Sequence, residues 1–165
     1  MTIRKATYDD IPQLMRLFEH AKGIMRASGN MHQWGNGYPS EEIIYNDIKN
    51  GVCFVADGEN GNIEATMALI PGPDPTYSVI EGGRWLNDKP YNVIHRIAVA
   101  VPGKGYAYRL LDYAFELTDT IRIDTHRDNV IMHHILKKYG FSYCGVIYLA
   151  NGDPRDAFQL SKEYR

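Results

Sequence analysis

"YNVIHRIAVAVPGKGYAYRLLDYAFE", residues 91–116, decides how this chain reads. Its opening run is β-branched and apolar, the composition of a buried strand. Its second half and the residue just beyond it carry Ala107, Leu110, Leu111, Ala114 and Leu117 at helical spacing, one apolar helix face. Between them stand Pro102, Gly103, Lys104 and Gly105. A strand that enters a helix through such a turn leaves backbone N–H groups unpaired at the positive end of the helix dipole, which favours a bound anion such as a phosphate. The turn lacks both the Gly-Lys-Ser/Thr of a P-loop and the three glycines of a dinucleotide fingerprint, so its flanks must say what it holds.

Upstream, "TIRKAT" predicts a first strand. Residues 8–28 predict a helix, with Asp9 or Asp10 as N-cap, Pro12 in the first turn, and Ile11, Leu14, Phe18, Ala21 and Met25 on one face. Glycines mark 29–39 as a loop, and Ser40 caps a short helix carrying Ile44 and Ile48. Residues 52–70 read as a hairpin turning at 58–61, and a long Pro/Gly stretch covers 71–90. Downstream, "IRIDT" is a strand. Asp128 or Asn129 then caps a helix with Met132, Ile135, Leu136 and Tyr139 on one face, Gly140 ends it, and "FSYCGVIYL" and "DAFQLSKEY" are two last strands. The order β-α-α-β-β-β-α-β-α-β-β predicts an α/β fold: a mixed, mostly antiparallel sheet of six to seven strands with helices on both faces. With no repeat or linker in its 165 residues, the chain reads as one domain, 1–165.

A hydrophobic share of 44% and a charged share of 23% are those of a soluble globular protein. A formal net charge of −2 gives no electrostatic reason to expect nucleic acid or a membrane surface as partner. Cys53 and Cys144 lie in separate apolar runs and read as buried free thiols of a reducing compartment. Without an apolar leader or a span-length segment, the cytoplasm is the expected location. Self-association into a homodimer is left open.

The strand "HRIAV", the turn "PGKGYAYRLL", the strand "IRIDTHRDN" and the helix end "ILKKYGF" together resemble the acyl-CoA core of the GNAT superfamily of N-acetyltransferases, over nearly the whole chain. The resemblance implies acetyl-CoA as co-substrate, its pyrophosphate wrapped by backbone N–H groups of Gly103, Lys104, Gly105, Tyr106, Ala107 and Tyr108. It also implies that its pantetheine arm lies along Ile97, Ala98 and Val99, with Val99 N–H on the thioester carbonyl and Asn129 as a side contact. Two positions depart from the family pattern: Pro102 stands where Gln or Arg leads the loop, and Leu136 stands where many members have a tyrosine that protonates the leaving thiolate. Tyr139 and His133, three residues to either side of Leu136, are the replacements to expect on that helix face, Tyr139 first.

The implied reaction is direct attack of an amine on the thioester, which needs an unprotonated amine, a polarised carbonyl and a proton for the thiolate. His95 is the candidate base, since an imidazole changes charge near neutral pH; alternation puts it on one strand face with Val93, Ile97 and Val99. A hydrogen-bonded core histidine is the competing reading of His95. Glu81 is the rival base, or simply a solvated loop residue. Trp34, Tyr38, Trp85 and Tyr91 either wall an acceptor site or cover the edge of the core. His126, His133 and His134 lack a carboxylate or thiol at matching spacing, so no metal is expected. No acidic cluster in the sequence marks a polyamine site, and a small-molecule amine and a peptide amine both stay open as substrate. Two other classes compete: an acyl-CoA-binding module without turnover, and a nucleotide-binding domain, for which the turn lacks the lysine or serine and the metal-binding carboxylate.

Overall fold

A computed structural model describes residues 1–164, without the side chain of Tyr164. Seven strands form one sheet: β1 (Thr2–Lys5), β2 (Cys53–Asp57), β3 (Ile63–Pro71), β4 (Asn92–Val99), β5 (Thr120–Thr125), β6 (Ser142–Tyr148) and β7 (Pro154–Ser161). Their spatial order is β1-β2-β3-β4-β5-β7-β6. Every neighbouring pair is antiparallel except β4 with β5. Four α-helices accompany the sheet: α1 (Ile11–Ala27), α2 (Glu41–Lys49), α3 (Tyr106–Leu117) and α4 (Val130–Tyr139). The predicted element order holds throughout.

Two helices begin on the side-chain caps that their sequence offers. Ser40 Oγ accepts the Ile43 N–H at 3.2 Å to start α2, and of the two candidate caps for α4 it is Asn129 whose Oδ1 accepts the Met132 N–H, at 3.0 Å. The start of α1 differs. Asp10 occupies the cap position, but its carboxylate turns back to accept the Thr7 N–H at 2.7 Å and to pair with Arg4 at 2.8 Å. Leu117, expected on the buried face of α3, is 55% exposed as the last residue of that helix.

Periodicity sorts the core into two layers. Leu110, Leu111 and Phe115 of α3 and Leu136 of α4 meet Ile94, Ile121 and Ile123 on one face. Leu14, Phe18 and Ile44 from α1 and α2 meet Val55 and Ala98 on the other. Each large side chain buried this way contributes roughly 1.5–3 kcal/mol. The 71–90 stretch closes the far end of that second face, where Tyr77 packs with Val93, Ile147 and Ala157. Cys53 and Cys144 are free and buried, and burial pushes the Cys53 thiol up to about 11.

Two irregularities shape the middle of the sheet. On β4, Ala98 pairs with Thr66 while His95 pairs with Ala68, so Met67 alone faces both Arg96 and Ile97. This bulge holds Arg96 at φ 53°. Past it, β4 leaves β5: the two strands pair only at Asn92 with Ile121 and at Val93 with Arg122. A wedge opens between them. No helix among the described residues is long and apolar enough to cross a membrane.

Candidate active site

The wedge has backbone donors along one wall. Ala100 N–H donates to Glu64 O at 2.8 Å, toward β3. Strand alternation therefore turns Ala98 N–H toward β3 as well, and Ile97 and Val99 N–H into the wedge. Where β4 ends, Gly103 and Gly105 adopt φ of 81° and 78°, the left-handed region, and hand the chain to α3. A Cβ on either glycine would meet nothing within 4 Å, so the requirement is for backbone conformation rather than space within the protein. The first α3 amide to find a backbone partner is Arg109, at 3.2 Å to Gly105 O; the N–H groups of 103–108 have none among the described residues. A cavity of about 620 Å³ runs along this surface, between Val99, Gly103, Gly105 and Ala107 on one side and Asn129 and Ile135 on the other. Lys104 is not in its wall.

A second cavity, of about 490 Å³, lies on the other side of the wedge. The two meet at Met25, Ile97, Asn129 and Met132, which line both. His95, Asp74, Asp124 and Arg155 line the second, under a loop carrying Trp34 and Tyr38. His95 Nε2 lies 3.1 Å from Asp74 Oδ2. That histidine and the Thr76 hydroxyl and amide hold the Asp74 carboxyl down at about 2, against a smaller opposing effect of burial. Burial pushes the Asp124 carboxyl up, although Tyr77 donates to it at 2.6 Å. Arg96, swung out by the bulge, spans to Asp47 with two 2.8 Å contacts and donates to Tyr38 Oη at 2.9 Å. The loop is thereby tied to the bulge. Asn129 adds a second tie, donating from Nδ2 to Gln33 Oε1 at 3.0 Å while it caps α4.

Ile97, Ala98, Val99, Gly103, Gly105, Tyr106, Ala107, Tyr108 and Asn129 therefore come together on the first cavity, and His95, Trp34 and Tyr38 on the second. The bulge corrects the expected strand face. Ile97 and Val99 pack with Ile94 beneath α3 and α4, whereas Val93 lies on the other side, where His95 also neighbours the Tyr77 ring at 6.5 Å. Six expected site residues line neither cavity: Lys104, Glu81, Trp85, Tyr91, His133 and Tyr139. Glu81 bridges to Val146 and accepts from Tyr148 Oη at 3.0 Å at the outer edge of the sheet. Trp85 and Tyr91 clamp the Arg122 guanidinium between their rings, at 4.2 and 4.1 Å, so they fix the 71–90 segment. His133 is held at 2.7 Å from Asn129 O and 2.8 Å from Asp156.

Tyr139 also stands apart, because its helix turns that side toward α3: its hydroxyl donates to Asp112 at 2.8 Å and its ring stacks on Tyr108 and Phe115. Leu136, between His133 and Tyr139, is fully buried. His126 turns to the Asp128 amide, at 3.0 Å, and His134 lines the first cavity. No three His, Cys, Asp or Glu among the described residues gather as a metal site. Asp74, Asp124, Asp153, Arg96, Thr125 and Arg155 are cavity residues that sequence reading missed. They are scattered from 74 to 155, and no local pattern could have joined them.

No family model matches the chain, and no curated protein matches it. Solved structures do. An acetyltransferase of the GNAT family from Streptococcus agalactiae is 37% identical, with 98% of this chain and 95% of that one covered and a TM-score of 0.90. A GNAT-family acetyltransferase from Listeria monocytogenes, 21% identical over 97% of this chain and 94% of its own, has a TM-score of 0.72. A polyamine N-acetyltransferase from Drosophila melanogaster, 15% identical over 97% and 99%, has a TM-score of 0.66. At those identities the last two speak for the fold alone.

Proposed function

The chain belongs to the GNAT family of acetyltransferases, and from that premise we propose that it moves an acetyl group from acetyl-CoA to the primary amine of a small molecule or peptide. The observation that carries this reading is the meeting of the two cavities across Ile97, Asn129 and Met132. One has the donors that a pyrophosphate and an extended amide arm require, and the other has a histidine–carboxylate pair.

The residues present fit acetyl-CoA. The free amides of 103–108, at the positive end of α3, suit the pyrophosphate. Ile97 N–H faces the wedge as an unused strand edge, which suits an arm that pairs like an added strand. When bound, the co-substrate supplies an activated acetyl thioester. Val99 N–H receives the carbonyl oxygen and stabilises the charge that develops there. His95 takes the proton from the attacking amine, with Asp74 fixing the imidazole and balancing the charge it gains. No side chain of the expected pair Tyr139 and His133 faces the reacting atoms, so the thiolate takes its proton from water; a thiol of pKa about 8.5 makes that a modest cost.

Calorimetry with acetyl-CoA, followed by thiol release over a panel of amines, tests the reading. Binding with turnover of at least one amine supports it. Binding with no turnover of any amine would leave an acyl-CoA-binding module, and absence of binding would remove the assignment altogether. Placement in the cytoplasm and the choice of one domain across 1–165 belong to the same proposal.

A further inference from the structure

Arg155, on β7, is 9% exposed and lines the second cavity. Its one side-chain hydrogen bond among the described residues is to its own neighbour: Nη1 donates to Pro154 O at 2.8 Å. Among the described residues it forms no ion pair. A buried guanidinium with no carboxylate in contact is unfavourable, so its persistence calls for a reason.

The other charged groups of that cavity are answered from within the protein. Asp74 has His95 and Thr76, Arg96 has Asp47 and Tyr38, Asp124 has the Tyr77 hydroxyl, and Asp153 accepts from Asn151 Nδ2 at 3.2 Å. Asp124 feels the Arg155 charge through space without forming an ion pair with it; Tyr77 donates to one of its oxygens, and burial, the larger effect, pushes its carboxyl up.

We infer that the acceptor bears a carboxylate beside its amine, received by Arg155, so that the substrate class is the free amino acid rather than a polyamine or a peptide. This rests on the acetyltransferase reading of the same cavity. A carboxylate takes two parallel N–H bonds from a guanidinium, which gives the buried charge its partner. The guanidinium would repel a polyamine held in the same place. A peptide N-terminus carries an amide where the carboxylate belongs and leaves the arginine unpaired. The cavity of about 490 Å³ has the capacity for a ligand of amino-acid size.

The test compares each of a set of amino acids with its primary amide and its decarboxylated amine, and with spermidine, by thiol release from acetyl-CoA on the full chain. The amino acid is expected to exceed both partners by about a hundredfold in kcat/KM, since a site built around a charged hydrogen bond rejects what cannot complete it. Arg155→Met should abolish that preference by raising KM for the acid, leave the Kd for acetyl-CoA within twofold, and melt no lower than the unliganded parent. Arg155→Lys, which keeps the charge but loses the fork, should fall between them. Amides or amines turned over as fast as the acids, or an acid preference that survives Arg155→Met, would overturn the inference while leaving an acetyltransferase. Should Arg155→Met fail to fold, the acid-against-amide comparison and Arg155→Lys decide. Failure to bind acetyl-CoA, or to acetylate any amine, would remove the acetyltransferase reading and this inference with it.

Discussion

His95 and Asp74 stand 3.1 Å apart, Nε2 to Oδ2, in the wall of the second cavity, although 21 residues separate them in the chain. The pair joins a central strand to the loop after β3. Because the imidazole is held by a carboxylate on one side and borders the cavity, His95→Ala is expected to lower kcat by about 10²- to 10⁴-fold, the usual contribution of a general base. The Kd for acetyl-CoA should not change. Calorimetry and a pH–rate profile check this, and an unaltered acidic limb in the variant would remove His95 from proton transfer.

Asp74 also leaves a mark on stability. Its folded-state value of about 2 lies below the ordinary aspartate value of about 3.9, so the unfolded chain takes up the proton first as pH falls. The stabilisation is complete above about pH 4 and is lost as pH falls through about 2. Asp74→Asn removes that titration. Denaturant melts should therefore show the parent more stable than Asp74→Asn at pH 6, with the gap closing between about pH 4 and 2. A gap that is constant over that window would mean that the carboxylate is not held down by His95 and Thr76.

Gly105 is required for its φ of 78° rather than for clearance, since an added Cβ meets nothing within 4 Å. Gly105→Val and Gly105→Ala are expected to strain the turn by roughly 1–2 kcal/mol and to weaken acetyl-CoA binding about tenfold or more, with circular dichroism unchanged. Gly105→Asn, which tolerates the left-handed region, should retain more affinity than Gly105→Ala. Equal loss in all three would point instead to a side chain obstructing the ligand.

Tyr139 donates to Asp112 and stacks on Phe115, in the wall of neither cavity. Tyr139→Phe keeps the ring and removes only the hydroxyl. It is expected to hold kcat within about twofold, against the 10²-fold or greater fall that loss of a general acid brings. A flattened high-pH limb in Tyr139→Phe would restore the tyrosine as proton donor.

Local chemistry wrote the elements of this protein plainly. Helical spacing in 106–117 and 130–139, the caps Ser40 and Asn129, and the glycine turn at 103–105 each depend on residues within a few positions of one another. Sequence alone therefore determined the order of strands and helices, the mixed sheet and the anion-ready turn. Tertiary structure decided the site. One extra residue in β4 at Arg96 turned Ile97 and Val99 to the opposite face from the one that alternation assigned them, because a bulge shifts a period of two by one. Trp85 and Tyr91 looked like site walls until Arg122, from a strand far along the chain, came between their rings. Asp74, Asp124 and Arg155 meet in one cavity only because three separate segments pack there. Which charges are paired and which is left for a substrate depends on distances of a few ångströms, and sequence spacing carries no such distances across a sheet.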